Sequence, residues 1–372
     1  MQPAKMRRCH TQLQRIAGHV VAQSTAAAPA PEGATAASIE ALAGLCATVA
    51  RRATHLRVDF GAAERFADSL TETAFAALAP PPPPPHELEA APEEWAALVM
   101  AQMAVNFCYF PDPGEPRWWV VSAAGEAVGV DDEANAMTSC LRDTWAACGG
   151  FASGAFLEQL SDAAVAEIFA PAPGAGVLPM LAERAAALRK IGAALKAAGG
   201  AAAFVASADG SALRFAGLLG EHGFLDQRDG ASHGVSQPLS FFKRAQLCAA
   251  SLSGAGMPGF TFGDIERLTV FSDYRLPQLF AEQGILHLTP HLAVTVKAEL
   301  PVDEGSAQEV ELRAATVAIS DTIVQRVAAR TEGRFELTAA KLDYFLWRSA
   351  VVADEAGEYA EFPFHRTRTT SY

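Results

Sequence analysis

Leu268-Thr-Val-Phe-Ser-Asp-Tyr-Arg-Leu-Pro-Gln-Leu-Phe-Ala-Glu-Gln-Gly284 carries its own start and stop signals. Pro277 has no backbone N–H to donate and fits a helix comfortably only in the first turn. The spacing therefore predicts a helix beginning near Asp273, with Asp273 at or beside the N-cap and Gly284 beyond the end. A carboxylate there is favoured by the unpaired amides of the first turn and by the helix dipole, so a plain cap is sufficient to explain Asp273 alone. Its neighbours suggest chemistry as well: Phe271 and Tyr274 are aromatic and Arg275 is cationic.

Outward from this block the chain reads mostly as helix. Leu181–Ala198 is a long Ala- and Leu-rich run that should end at Gly199 and Gly200. Ser306 and Glu309 form an S-x-x-E capping box, and Val310, Ala314, Val317, Val324 and Ala328 follow as an apolar stripe at helical spacing. Asp321 falls on that stripe, where a carboxylate must find a partner or stay wet. Period-two alternation is scarce. Residues 118–122, just after a Pro-rich breaker, read as a short strand, one arm of a hairpin closing near Gly125. The predicted class is mainly α: a single large helical domain over residues 36–372 with a small β-hairpin or sheet.

Two segments stand outside that domain or on its surface. Glu32 is the first acidic residue, preceded by Lys5, Arg7, Arg8 and Arg15, so residues 1–35 read as an N-terminal extension. The acid-poor, Arg-bearing composition of residues 1–31 suits a transit peptide or a disordered tail equally. The six prolines at 80–85 form a stiff polyproline II segment, expected as an exposed spacer.

Composition limits what the chain does. Half of its 372 residues are apolar, enough for a large core. With 29 basic and 42 acidic residues, the net charge of −13 repels a nucleic-acid backbone. A polymeric nucleic-acid partner is disfavoured, while a few local basic groups suffice for a small phosphorylated ligand. Cys9, Cys46, Cys108, Cys140, Cys148 and Cys248 make no C-x-x-C pair and read as reduced thiols of an intracellular protein. No apolar run is long enough to cross a bilayer. No P-loop, G-x-G-x-x-G, H-E-x-x-H or G-x-S-x-G occurs, so no metal or organic cofactor is expected, and no obligate protein partner is evident. The cytoplasm is the expected compartment, or a mitochondrion or plastid if residues 1–31 direct import.

An aspartate at the start of a short helix that ends in Gly284 resembles the helix-hairpin-helix DNA glycosylases, where it faces the sugar. More of the chain resembles the queuosine salvage protein family, which releases queuine from queuosine 5′-phosphate. Besides the 268–284 block, the resemblance rests on Phe241-Phe-Lys-Arg-Ala-Gln-Leu247, Gln308-Glu-Val-Glu-Leu-Arg313, Leu342-Asp-Tyr-Phe-Leu-Trp347 and Pro363-Phe-His-Arg-Thr-Arg368. Asn106-Phe-Cys-Tyr109 adds an upstream element. The likeness runs from about residue 40 to the C-terminus, strong after Phe241 and weak between about 125 and 235. Arg348 stands where the family has an acidic residue, residues 135–145 depart from its aromatic pattern, and the proline tract is foreign to it.

The resemblance implies a helix-hairpin-helix-like fold, a small-molecule substrate and Asp273 as catalytic carboxylate, with Asp343 and Tyr344 touching the ligand. On a helix Trp347 neighbours both Asp343, four residues back, and Tyr344, three back, although Trp347 serves equally as a core aromatic. Lys243 and Arg244 point about 100° apart on a helix, so one of them, Lys243, is the candidate for the phosphate. A Lys243 Schiff base would open the sugar instead of hydrolysing the bond. Phe271, Phe107 and Tyr109 are candidates for stacking on the base, with core packing the alternative for Phe107. His365, Arg366 and Arg368 could bind phosphate or tie the last segment to the core; Arg275 completes the candidate set. Two rivals stay open: a base-excision enzyme like the DNA glycosylases, and a non-catalytic helical binding protein. The latter predicts Asp273 sunk in bulk protein.

Overall fold

The computed structural model describes residues 34–78, 91–130, 132–357 and 362–372. The expectations for residues 1–31 and for the proline tract lie outside the described residues. In chain order come helices α1 (Ala34–Arg52), α2 (Phe60–Ser69), α3 (Glu72–Ala77), α4 (Pro92–Ala104) and α5 (Glu133–Cys148). They are followed by α6 (Ala155–Glu158), α7 (Asp162–Ile168), α8 (Leu181–Ala198), α9 (Ala201–Ala206) and α10 (Ala212–Leu219). The last third adds α11 (Lys243–Gly254), α12 (Arg275–Glu282), α13 (Pro290–Lys297), α14 (Ala307–Thr331) and α15 (Ala339–Glu355). The class is mainly helical, as expected, and no helix among the described residues is long and apolar enough to cross a membrane.

Three short antiparallel pairs join the helices, where a single hairpin or sheet was expected. β2 (Val120–Val121) and β3 (Ala127–Val128) form the foreseen hairpin, with Gly125 at φ 86 in its turn. The first arm is shorter than 118–122 because Trp118 turns inward, its indole N–H donating to the Phe169 carbonyl at 3.1 Å. β1 (Leu56–Val58) pairs with β6 (Leu286–Leu288), and β4 (Gln227–Arg228) with β5 (Leu239–Ser240). The first is a three-residue contact between segments distant in sequence, and the second a two-residue contact across a loop that carries Asp229-Gly230.

Among the described residues two large apolar clusters form the interior, with a small third one of Phe107, Cys108 and Phe110. The first gathers α4, α5 and α7 to α11 with Trp118, Leu268 and Phe271. The second gathers α1, α2 and α12 to α15 with Phe241 and Val270. Neighbouring residues thus divide between them: Phe241 enters the second and Phe242 the first, while Val270 enters the second and Phe271 the first. Segments 241–243 and 268–273 therefore run along the seam.

Helix α14 is the axis of the second cluster. The Ser306 hydroxyl accepts from the Glu309 amide at 3.2 Å, half of the expected capping box. The other half is not made, because the Glu309 carboxylate accepts from the Gly305 amide at 3.1 Å and the Arg228 Nε at 2.9 Å. The stripe also needs correction. Every residue from 309 to 320 is buried, whereas Val324 is half-buried and Ala328 exposed, Ile323 and Val327 taking over the buried face. The first half of the helix is enclosed on all sides, so no single stripe describes it. Half-buried Asp321 finds a partner, accepting from Gln325 Nε2 at 2.7 Å.

Helix α8 has the bounds expected of it and ends on Gly199 at φ 88. Gly192 within it lies against α6. A methyl group there would come within 2.3 Å of the Glu158 nitrogen and 2.7 Å of the Leu157 Cβ. Gly192→Ala is expected to lower stability by about 1–3 kcal/mol through overpacking, despite alanine's better helix propensity. Thermal denaturation measures this, and an equally stable variant would show that α6 and α8 part freely.

Candidate active site

Segment 268–273 is held from three sides before it delivers Asp273. Gln246, on α11, accepts from the Thr269 amide at 2.8 Å and donates to the Phe241 carbonyl at 2.8 Å. Asp343, on α15, accepts from the Phe271 amide at 2.7 Å. Arg313, on α14, donates to the Ser272 carbonyl from Nε and Nη2 at 3.3 and 3.2 Å, and the Ser272 hydroxyl donates back to the Arg313 carbonyl at 3.1 Å. Asp273 then turns the chain into α12. Its Oδ1 accepts from the Arg275 amide at 2.8 Å and more loosely from that of Leu276 at 3.4 Å, so the predicted cap is present. Asp273 is half-buried, which separates it from a carboxylate sunk in bulk protein.

Segment 241–243 is held by a second carboxylate. Phe242 sits in the left-handed region at φ 50, a conformation that costs a non-glycine residue about 1–2 kcal/mol. Asp226 accepts from the Phe242 amide and, at 3.3 Å, from that of Lys243. Lys243 is thereby set as the first residue of α11, with its side chain buried. Asp226 is itself paired with Arg313 Nη2 at 2.7 Å, both side chains almost wholly buried.

Asp273, Asp343 and Lys243 consequently feel one another. Burial pushes the Asp343 carboxyl well above the usual carboxylate range, and the Asp273 charge pushes it the same way; the Phe271 amide and Lys243 oppose this without cancelling it. Burial lowers the Lys243 ammonium, and Arg244 and Arg313 add repulsion, against the pull of Asp273 and Asp343. Two carboxylates in unlike settings, one half-exposed and one buried and proton-seeking, form an arrangement able to divide charge stabilisation from proton transfer.

The other candidates are placed differently. Arg244 donates to the carbonyls of Ala104 and Gly223, both at 2.6 Å, which leaves Lys243 as the cation of that pair facing the carboxylates. Phe107 is 1% exposed between two guanidiniums, with Arg184 at 4.4 Å and Arg244 at 5.3 Å from its ring centre. It packs in the core and presents no face for a base, and Tyr109 is buried too. Phe271 reaches the site by its amide, its ring belonging to the first cluster. Tyr344, next to Asp343, and Trp347, one turn on, are half-buried with ring centres 5.9 Å apart. Arg275 is half-buried and lies over Phe364 at 4.8 Å.

His365 and Arg366 do not join Asp273. Burial lowers His365 to about 4, so it is neutral near pH 7, and it bonds the Tyr372 hydroxyl at 3.3 Å. Arg366 donates to the Pro111 carbonyl at 2.8 Å and pairs with Glu299, while Arg368 pairs with Asp112 at 2.6 Å. Of the two accounts open for this cluster, tying the last segment to the core is the one the contacts support. A shallow depression lined by Pro277, Gln278, Phe362, Pro363 and His365, among others, includes none of Asp273, Asp343 or Lys243 and so is no sugar site. Among the described residues no three His, Cys, Asp or Glu side chains are grouped to hold a metal ion.

Asp226, Gln246, Ser272 and Arg313 are the residues that sequence reasoning passed over. Asp226 is a lone acid in an irregular stretch, without signal. Glu309, Glu311 and Arg313 did carry one: three charges within five residues of an otherwise apolar helix start demand buried partners. Each has them, Glu311 bonding the amides of Thr54 and His55 at 3.0 and 2.8 Å and His233 Nε2 at 2.8 Å.

Comparison with known proteins gives a consistent answer. A family model described as queuosine salvage protein matches residues 86–372. Three curated relatives are named queuosine 5′-phosphate N-glycosylase/hydrolase. That of Sphaerobacter thermophilus is 32% identical over 286 residues, 75% of this chain and 82% of its own. That of Dictyostelium discoideum is 32% identical over 200 residues, 52% and 59% of the two chains. That of Mus musculus is 34% identical over 147 residues, 36% and 41%.

The raised Asp343 carboxyl makes a pH prediction. A group whose folded pKa lies above its unfolded value favours folding at low pH, and that contribution is lost as pH rises toward the folded value. Asp343→Asn keeps an acceptor for the Phe271 amide and does not titrate. The melting temperature of the variant relative to the unsubstituted protein should therefore rise from mildly acidic to mildly alkaline pH. A difference that shrinks with pH would contradict the buried, proton-seeking assignment.

Proposed function

Because the chain belongs to the queuosine salvage protein family, we propose that it hydrolyses the N-glycosidic bond of queuosine 5′-phosphate, releasing queuine and ribose 5-phosphate. The observation that carries this is half-buried Asp273 at a helix start, delivered by a segment whose Phe271 amide the buried Asp343 holds. Rupture of the C1′–N bond leaves positive charge on the sugar, which a fixed carboxylate stabilises while it orients the attacking water. Water oxygen bonds to C1′, and a proton ends on the ring nitrogen of the departing base. Queuine is a 7-deazaguanine without N7, so leaving-group help must come through its pyrimidine edge.

Within this reading Asp343 and Tyr344 meet the base, and Lys243 supplies local positive charge for the phosphate despite the net charge of −13. Arg275 and the Phe271 backbone flank Asp273; Phe107, His365 and Arg366 act by packing. A helix-hairpin-helix kinship, supported by the capped Asp273, belongs to the same proposal. So do a single domain over residues 36–372, the absence of nucleic-acid or obligate protein partners, and a cytoplasmic location, or an organellar one if residues 1–31 direct import.

Asn caps helices as well as Asp does, so Asp273→Asn separates the cap from the charge. The variant is expected to fold normally and to lose about 100- to 1,000-fold in queuine release, followed by mass spectrometry. Near-normal turnover would refute the assignment. Free queuosine, lacking the phosphate, should show kcat/KM lower by about 10- to 100-fold, the value of one charge-assisted contact. Equal values for nucleoside and nucleotide would remove the role given to Lys243.

A further inference from the structure

Asp273 and Lys243 stand on different segments, at the seam of two separate cores, and one buried ion pair touches the backbone of both. Arg313 is 0% and Asp226 1% exposed at the side chain. On one side the Arg313 guanidinium holds the Ser272 carbonyl, one residue before Asp273. On the other, Asp226 takes the amides of Phe242 and Lys243. The Nη2–Oδ2 contact of 2.7 Å closes the link between them. The guanidinium is itself clamped between rings, 4.1 Å from the centre of Phe241 and 4.5 Å from that of Tyr372. Gln246 also joins the two segments, through the Thr269 amide and the Phe241 carbonyl, but only the Arg313–Asp226 pair reaches the residue before Asp273 and the amide of Lys243 itself.

We propose that the Arg313–Asp226 pair is a positioning device that fixes Asp273 and Lys243 relative to each other across the seam. It rests on the proposed reaction only for what the two positioned groups do. The link depends on a forked donor, because the planar guanidinium reaches a carboxylate and a carbonyl at once, whereas an ammonium on a flexible stem offers no fixed fork.

Arg313→Lys keeps the charge and loses the fork. Amide exchange in segments 242–246 and 273–276 should quicken together in the free protein, and kcat should fall about 100-fold, as expected for a catalytic group misplaced by about 1 Å. KM should move by less than about tenfold, because the groups remain present and only their geometry for the chemical step is lost. A kcat within about threefold of the unsubstituted enzyme, or faster exchange confined to one segment, would overturn the proposal. If Arg313→Lys does not fold, Asp226→Asn, which keeps an acceptor for the Phe242 amide, is judged by the same criteria. Failure of both to fold would make the pair a fold determinant and sink the positioning role. Exchange needs no substrate, and the unsubstituted enzyme and Asp273→Asn are assayed alongside. Absence of queuine release by the unsubstituted enzyme thus counts against the proposed reaction, while the exchange result still decides on the pair.

Discussion

Three charges buried in the first turns of α14 govern the structure. Removing an ion from water costs several kcal/mol after relaxation, so Glu309, Glu311 and Arg313, all 0% exposed, require compensation. It comes from parts of the chain far apart in sequence. Glu309 takes Arg228 and the Gly305 amide, Glu311 takes residues 54, 55 and 233, and Arg313 takes Asp226 and Ser272. Residues 309 and 313 lie one turn apart on one face while 311 points the other way. The helix therefore fastens segments on opposite sides of itself, and the fold must close before the three charges have their full set of partners.

That constraint explains how much could be read beforehand. Features set by local physics were legible: the α8 boundaries from a Gly-Gly stop, the Asp273 cap from the position of Pro277, and the hairpin from Gly125. Features set by distant partners were not. β1 meets β6 over three residues, too short for periodicity to register. The α14 stripe failed because its first half is enclosed and its second is not, and an apolar stripe marks the buried face only where the opposite face stays wet along the whole helix.

The site divides along the same line. Asp273, Asp343 and Lys243 are proposed because family motifs contain them; the charge of Asp273 raises the Asp343 carboxyl and opposes the lowering of the Lys243 ammonium. His365 and Arg366 looked similar in sequence, since a basic cluster reads alike whether it awaits an anion or is spent on Pro111, Glu299 and Tyr372. Phe107 looked like a stacking platform, and the flat faces that suggested it are occupied by Arg184 and Arg244. The overlooked Asp226 lies in none of the quoted motifs, although it bonds residues of two of them.

The paired phenylalanines before Lys243 give the chain a way of detecting its own errors. Phe241 fills one core and Phe242 the other, with a left-handed turn between Phe242 and the helix. A slip of one residue in one direction would thrust the Lys243 ammonium into the first core, and a slip in the other would set Ser240 in the place of Phe241 and leave a phenyl-sized void in the second. Voids of that kind cost several kcal/mol, so misthreaded chains are rejected by packing, before any chemistry at the seam begins.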